Sequence, residues 1–399
     1  MADRPVRSTV YVLAIIFILT VAAFSSNQFT ATAQNFVYQA DGFLHGSFFY
    51  HTLPPTLHDS SLARGHYFWA PGPLPAIILM PGVAIFGLVP LQVYLNMLLL
   101  LAVLVLTYLL AKQDKFSARD SLWLALAFTF ASIYLGVAYR AHAWQVSSAA
   151  AAVAVLLMLV EYRGRQRPWL VGLAAAAALA TRLSAGLALL VPVLAMLFAS
   201  GKSWQQRIDW LKRALAPIAV ALLLLASLNY ARTGNWWDTG YGSAQVSGLL
   251  AEVREREGLV SLKNIPTNVY FYFLATPRPV FVPGTYQLRP PYLTANIAMG
   301  FFWLSPIFLY LWRLQLKERF KKIVALVAAV MTVLLLSYYA FNAWEFGPRY
   351  LTDVLPLYYL LLLTCFVDNR LVMRDRVLIA LSASFNLYLF ISIPWWSSG

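Results

Sequence analysis

The runs VYVLAIIFILTVAAF, MLLLLAVLVLTYLL and IVALVAAVMTVLLLSYY approach or reach the roughly 20 apolar residues that cross a bilayer. Inside hydrocarbon every backbone amide must find its partner within the protein, which leaves helices as the economical solution for such runs. Composition agrees: 60% of the 399 residues are hydrophobic and 12% are charged, against about 25% charged in a soluble domain. Mean hydropathy is +0.66. The reading is an all-α polytopic membrane protein with about 11 transmembrane helices, forming one domain over residues 1–399. The single cysteine, Cys365, lies in an apolar run and excludes an internal disulfide.

The spans read as 8–26, 91–111, 121–138, 146–161, 168–181, 183–200, 214–230, 295–314, 323–342, 354–367 and 377–394. The first of these reads as an uncleaved span rather than a signal peptide. Charge then sorts the loops. Arg4 and Arg7 with KQDKFSARD, RGRQR, GKSWQQRIDWLKR, RLQLKERFKK and NRLVMRDR hold 20 of the 30 Lys and Arg. That side is read as cytoplasmic. The net charge of +14 therefore sets orientation and does not point to nucleic acid. The apolar stretch 168–200 keeps the charge rule only if it turns at Arg182, giving two short spans. Two long loops face outward. Residues 27–90 form the first, with 74–87 as a re-entrant or interfacial helix, and 231–294 form the second.

All five histidines and eight of the sixteen acids fall on the outer side, so any chemistry is expected there. Asp41, within QADGFLHGSFFY, is either a solvated or capping acid or a general base. Burial against aromatics and lipid makes a carboxylate a stronger proton acceptor. In HDSSLARGHYFWAPGPLPA, Asp59 is a second acid, with Arg64, His66 and Tyr67 nearby. Two acids with histidines around them could hold a divalent metal, yet the histidine spacings of six, seven and eight match no compact metal motif. Arg140 and His142 lie in the short turn YRAHAWQ, where the arginine either snorkels to headgroups or forks onto a phosphate. Trp236 and Trp237 suit an interfacial anchor and equally a sugar face. In EFGPRYLTDVLP, Gly347 and Pro348 break the backbone and hold Arg349 and Tyr350 at the membrane rim. Asp353, four residues on, is placed to pair with Arg349.

Taken in order, these segments resemble the GT-C class of membrane glycosyltransferases, in the branch around protein mannosyltransferases and the bacterial aminoarabinose transferases. The likeness lies in order and topology along nearly the whole chain, not in one motif. It implies a sugar donor on a polyprenyl phosphate, transfer at the outer face of the bacterial inner membrane, and a lipid, glycan or protein acceptor. It assigns the base to Asp41 and donor-phosphate contact to Arg349, with Arg140 and Arg64 as further phosphate candidates. His66, Tyr67, His142, Trp236, Trp237 and Tyr350 become candidate sugar or acceptor contacts. It brings no certain cofactor, and a divalent metal stays open. Two departures stand out. Relatives of the aminoarabinose branch carry a Lys-Pro-Pro string where this chain reads WAPGP, with Ala70. Protein mannosyltransferases carry an Asp-Glu pair where Asp41 is followed by Gly42.

Two rival readings are a transporter or flippase of lipid-linked glycans and an O-antigen polymerase or ligase. A transporter should carry charges near the centres of its spans. These spans hold almost none, and Arg182 sits at a turn.

Overall fold

The computed structural model describes residues 33–246, 248–294, 299–341 and 346–392. The expected first span, 8–26, lies outside the described residues. In chain order the helices are α1 (Asn35–Leu44), α2 (Leu74–Phe86), α3 (Leu91–Gln113), α4 (Ala118–Thr129), α5 (Tyr134–Ala138), α6 (Ala143–Arg163), α7 (Pro168–Leu179), α8 (Leu183–Gly186), α9 (Leu190–Leu197) and α10 (Trp204–Thr233). They continue as α11 (Leu249–Glu257), α12 (Ile265–Val269), α13 (Phe301–Leu304), α14 (Arg319–Leu336), α15 (Leu355–Leu363) and α16 (Met373–Ser392). By length and composition α3, α6 and α10 can each cross a membrane.

The fold is mostly helical but not all-α. Each long loop carries one antiparallel hairpin: β1 (Ser60–Ala63) with β2 (His66–Trp69), and β3 (Arg278–Phe281) with β4 (Leu288–Thr294). These strands of four to seven residues are too short to leave a period-2 signature in sequence.

Several expected spans are interrupted. The 121–138 segment breaks between α4 and α5. The 295–314 segment breaks at Ser305, ahead of Pro306, which disfavours helical backbone before it and lacks an N–H. At 168–200 the helix stops after Leu179, Arg182 is extended, and the chain restarts as α8, as the charge rule required. By contrast α10 runs uninterrupted for 30 residues. Ser203 and Gln206 form a reciprocal capping box at its start, and Gly234 ends it in the left-handed conformation.

Packing follows the small residues. The alanines of α6 are buried at the centre of the bundle. A Cβ on Gly172 would lie 2.0 Å from the backbone oxygen of Ala214, so α7 and α10 meet backbone to backbone.

The loops sort to two ends. Arg163 forks onto Asp114 at 2.7 and 2.5 Å, and Trp210 Nε1 donates to the Gln166 carbonyl at 2.9 Å. Arg319 donates to the Phe198 carbonyl and Arg376 to Asp120, both at 2.9 Å. These bonds gather the five described basic loops at one end. At the other end Ala143 N donates to Ala33 O, Gly72 N to Thr181 O, and Asp59 N to Gln245 O. The two long loops and the short turns between them are joined there.

Candidate functional site

Two polar clusters form where the long loops meet. The first is cationic. Arg182 donates through Nε to both carboxylate oxygens of Asp353 at 2.8 and 3.0 Å, and Ser184 donates to the same carboxylate. Asp353 is fully buried and Arg182 nearly so. Burial opposes the arginine's charge, and the adjacent carboxylate outweighs it. The expected pairing of Asp353 with Arg349 is thus corrected. The backbone at Arg349–Asp353 is a 3-10 turn, which spoils the α-helical i,i+4 alignment, and the chain turn at Arg182 supplies the partner instead.

Arg349 is buried too. Its guanidinium carbon lies 4.7 Å from the centre of the Tyr350 ring, and that of Arg182 lies 5.5 Å from the same ring. The backbone that delivers it needs glycine: Gly347 has φ +132, and a Cβ there would lie 2.6 Å from Leu304. Tyr338 packs edge-on to Tyr350 at 5.3 Å. Tyr241 and Tyr272 share the same electrostatic neighbourhood of Arg182, Arg349, Asp353 and Tyr350. Burial, with Tyr350 and Asp353 adding to it and the arginines opposing, pushes the Tyr241 hydroxyl up to about 12.

The second cluster surrounds α1. Asp41 is buried, its Oδ1 lies 3.3 Å from His45 Nδ1, and its Oδ2 is buried without a hydrogen-bond partner among the described residues. His45 in turn stacks on His51 at 3.9 Å. Two residues before Asp41, Gln39 donates to the Trp69 carbonyl at 3.4 Å. Arg232, at the end of α10, donates to the Phe48 and Trp69 carbonyls at 3.0 and 3.3 Å and covers the Phe68 ring. It straps the β1–β2 hairpin to α10. Burial raises the Tyr50 hydroxyl to about 12, against its bonds to Ser60 and Asn35 and the charge of Arg232.

A ring contact joins the clusters. Trp69 meets Trp144 at 6.0 Å, and Trp144 stands in the first turn of α6, one turn before Ser147, which donates to Thr181 O next to Arg182.

The other sequence candidates are dispersed around these two. Asp59 stands at the start of β1 and is treated below. Arg64, at the hairpin turn, rests its guanidinium against Gly234. His66 is exposed and Tyr67 half-buried on β2. Trp236 stacks on Tyr230 at 4.8 Å, and Trp237 is 87% exposed, as an interfacial anchor would be. Arg140 stands beside His142, close enough for its charge to act on the imidazole. Among the described residues no group of three or more His, Cys, Asp or Glu could hold a metal ion.

Burial, then the Arg140 charge, lower the pKa of His142 from 6.5 to about 3. The unfolded chain therefore takes up this proton first, and stability falls as pH drops from 6.5 toward 3. We expect the unfolding temperature of the wild type to fall more steeply over pH 7 to 4 than that of His142→Gln. Parallel curves for the two proteins would refute this.

Sequence reasoning placed Arg182 at its turn without giving it a role, and passed over Arg232, Tyr241, Tyr272 and Tyr338. Arg182 had left a signal, a lone charge in an apolar run. The tyrosines left none.

No protein-family model matches the chain, and no curated protein matches it. Solved structures do. The crystal structure of ArnT from Cupriavidus metallidurans bound to undecaprenyl phosphate matches with a TM-score of 0.54 and 14% identity, over 94% of this chain and 63% of that one. The chain shares the fold of ArnT. ArnT is an aminoarabinose transferase of the GT-C class, the class that the order of segments resembles. The apo structure of ArnT matches at a TM-score of 0.49 and 17% identity, over 92% of this chain and 61% of that one. The chain spans just under two thirds of the length of either ArnT structure.

Proposed function

We propose that the protein is an inverting glycosyltransferase that moves a sugar from a polyprenyl-phosphate donor to a lipid, glycan or protein acceptor at the outer face of the bacterial inner membrane. The observation that carries this reading is the buried pair of guanidiniums, Arg182 and Arg349, set on the one ring of Tyr350. Asp353 already balances Arg182, and beside that pair the planar guanidinium of Arg349 offers the fork that a phosphate takes. ArnT, whose fold the chain shares, was crystallised with undecaprenyl phosphate, which is such an anion on a lipid.

The chemistry is economical. Glycoside hydrolysis usually needs a second carboxylic acid to protonate a poor leaving group. A polyprenyl phosphate leaves as a stable anion, so it needs a cation behind it and no proton donor. The acceptor hydroxyl loses its proton to Asp41, its oxygen forms the new bond to the anomeric carbon, and the bond from that carbon to the phosphate oxygen breaks. The phosphate departs toward Arg349, while Arg182 is held by Asp353 and keeps Tyr350 in place. Attack opposite the leaving group inverts the anomeric centre.

Kinetics of Arg349→Ala test the donor site. Losing one charge-assisted contact should raise the KM for the donor by about 10- to 100-fold, with the KM for the acceptor changed far less. Unchanged donor kinetics would remove the phosphate role from Arg349.

A further inference from the structure

Asp59 occupies an unusual position. Its φ is +59, a left-handed conformation that few side chains adopt. Two reciprocal backbone bonds hold it there: Asp59 N donates to Gln245 O, and Gln245 N to Ser60 O, both at 2.9 Å. Ser61 Oγ adds a bond to Gly240 O at 2.7 Å. The hairpin is thereby stitched to the segment that carries Tyr241, a neighbour of both arginines. The Asp59 charge acts on the Tyr339 hydroxyl. From Tyr339 an aromatic wall continues to Tyr338 at 4.8 Å and on to Tyr350 at 5.3 Å, beneath the two guanidiniums.

The Asp59 carboxylate is not consumed by this scaffold. Its side chain is 31% exposed, and the imidazole Nε2 of His58 stands 3.9 Å away, beyond hydrogen-bond distance. Asp tolerates this left-handed turn better than most side chains, so the turn presents the carboxylate at little cost.

We propose that Asp59 reads the transferred sugar, accepting hydrogen bonds from two neighbouring hydroxyls of a neutral sugar. This rests on the donor reading above. With the phosphate on Arg349, the sugar is the next group along the donor, and the tyrosine wall leads from that arginine to this acid. A carboxylate offers two acceptor oxygens to a pair of hydroxyls, and aromatic faces take the apolar face of the ring. The same charge repels sugars that carry a carboxylate, so the site selects neutral hexoses or pentoses over uronic acids.

Binding by the full-length protein in lipid nanodiscs separates the possibilities. The probes are bare polyprenyl phosphate and polyprenyl-phosphate hexose. The variants are Asp59→Asn and Asp59→Gly, the second suited to the left-handed backbone. The expected result is a loss of about tenfold or more for the sugar-bearing lipid, with binding of the bare lipid within about twofold of wild type. Bare-lipid binding also reports that each variant is folded. Equal losses for both lipids, or no loss for either, overturn the proposal. If the wild type binds neither lipid, the donor reading itself fails and this inference with it.

Discussion

Replacing Asp41 by Asn is expected to lower the rate of sugar transfer by about 10²- to 10⁴-fold, the usual contribution of a general base. The substitution keeps shape and removes the charge. Asp41 already presents a buried oxygen, Oδ2, that no described residue bonds. Single-turnover transfer at saturating donor isolates the step. The donor KM should stay near that of the wild type, because the proposed phosphate contacts belong to the other cluster. Full transfer by the variant would remove the base from Asp41, and a matching rise in donor KM would show that the acid organises the donor instead.

The largest effect on stability is expected at Asp353. Changing it to Asn leaves Arg182 buried with a neutral partner. Breaking one half of a buried pair costs about 3–5 kcal/mol, because the remaining charge has lost its compensation. Removing both charges avoids most of that cost, so Arg182→Met with Asp353→Leu should recover more than half of the loss. Unfolding of the purified protein in detergent, run as a double-mutant cycle, gives the comparison. A double variant as unstable as Asp353→Asn alone would mean that volume and packing, not charge, hold this corner together. The double variant should still transfer sugar poorly, since Tyr350 would lose one of its two guanidiniums.

Much of the architecture was legible because membrane chains write it in composition. The apolar runs set the helices, and the clustered Lys and Arg predicted which loops share an end; Arg163 with Asp114 and Arg376 with Asp120 join those loops in space. The turn at Arg182 followed from the same rule. Gly347 and Pro348 announced a break because their backbone chemistry is local. The hairpins were not legible, since the strands are short and their turn uses Arg64 at φ +53 before Gly65, a position that sequence does not flag. The cationic cluster was legible only at Arg349 and Tyr350. Its partners come from positions 171 residues away, in the case of Arg182 and Asp353, and a contact of that range leaves no local pattern.

Helix α2 turns Ile77, Ile78, Ile85 and Phe86 away from the protein while Ala76, Leu79 and Val83 pack inward, and α1 rests against it. Four greasy side chains on a short element beside the first loop act as a float. In the proposed reading they ride where headgroups give way to acyl tails, and the helix bearing Asp41 packs against the same element. With Asp41 as the proposed base, the depth of proton transfer would follow the bilayer as much as the polypeptide, and a thinner or thicker membrane would be expected to move that acid and the proposed lipid phosphate relative to each other without altering a single residue.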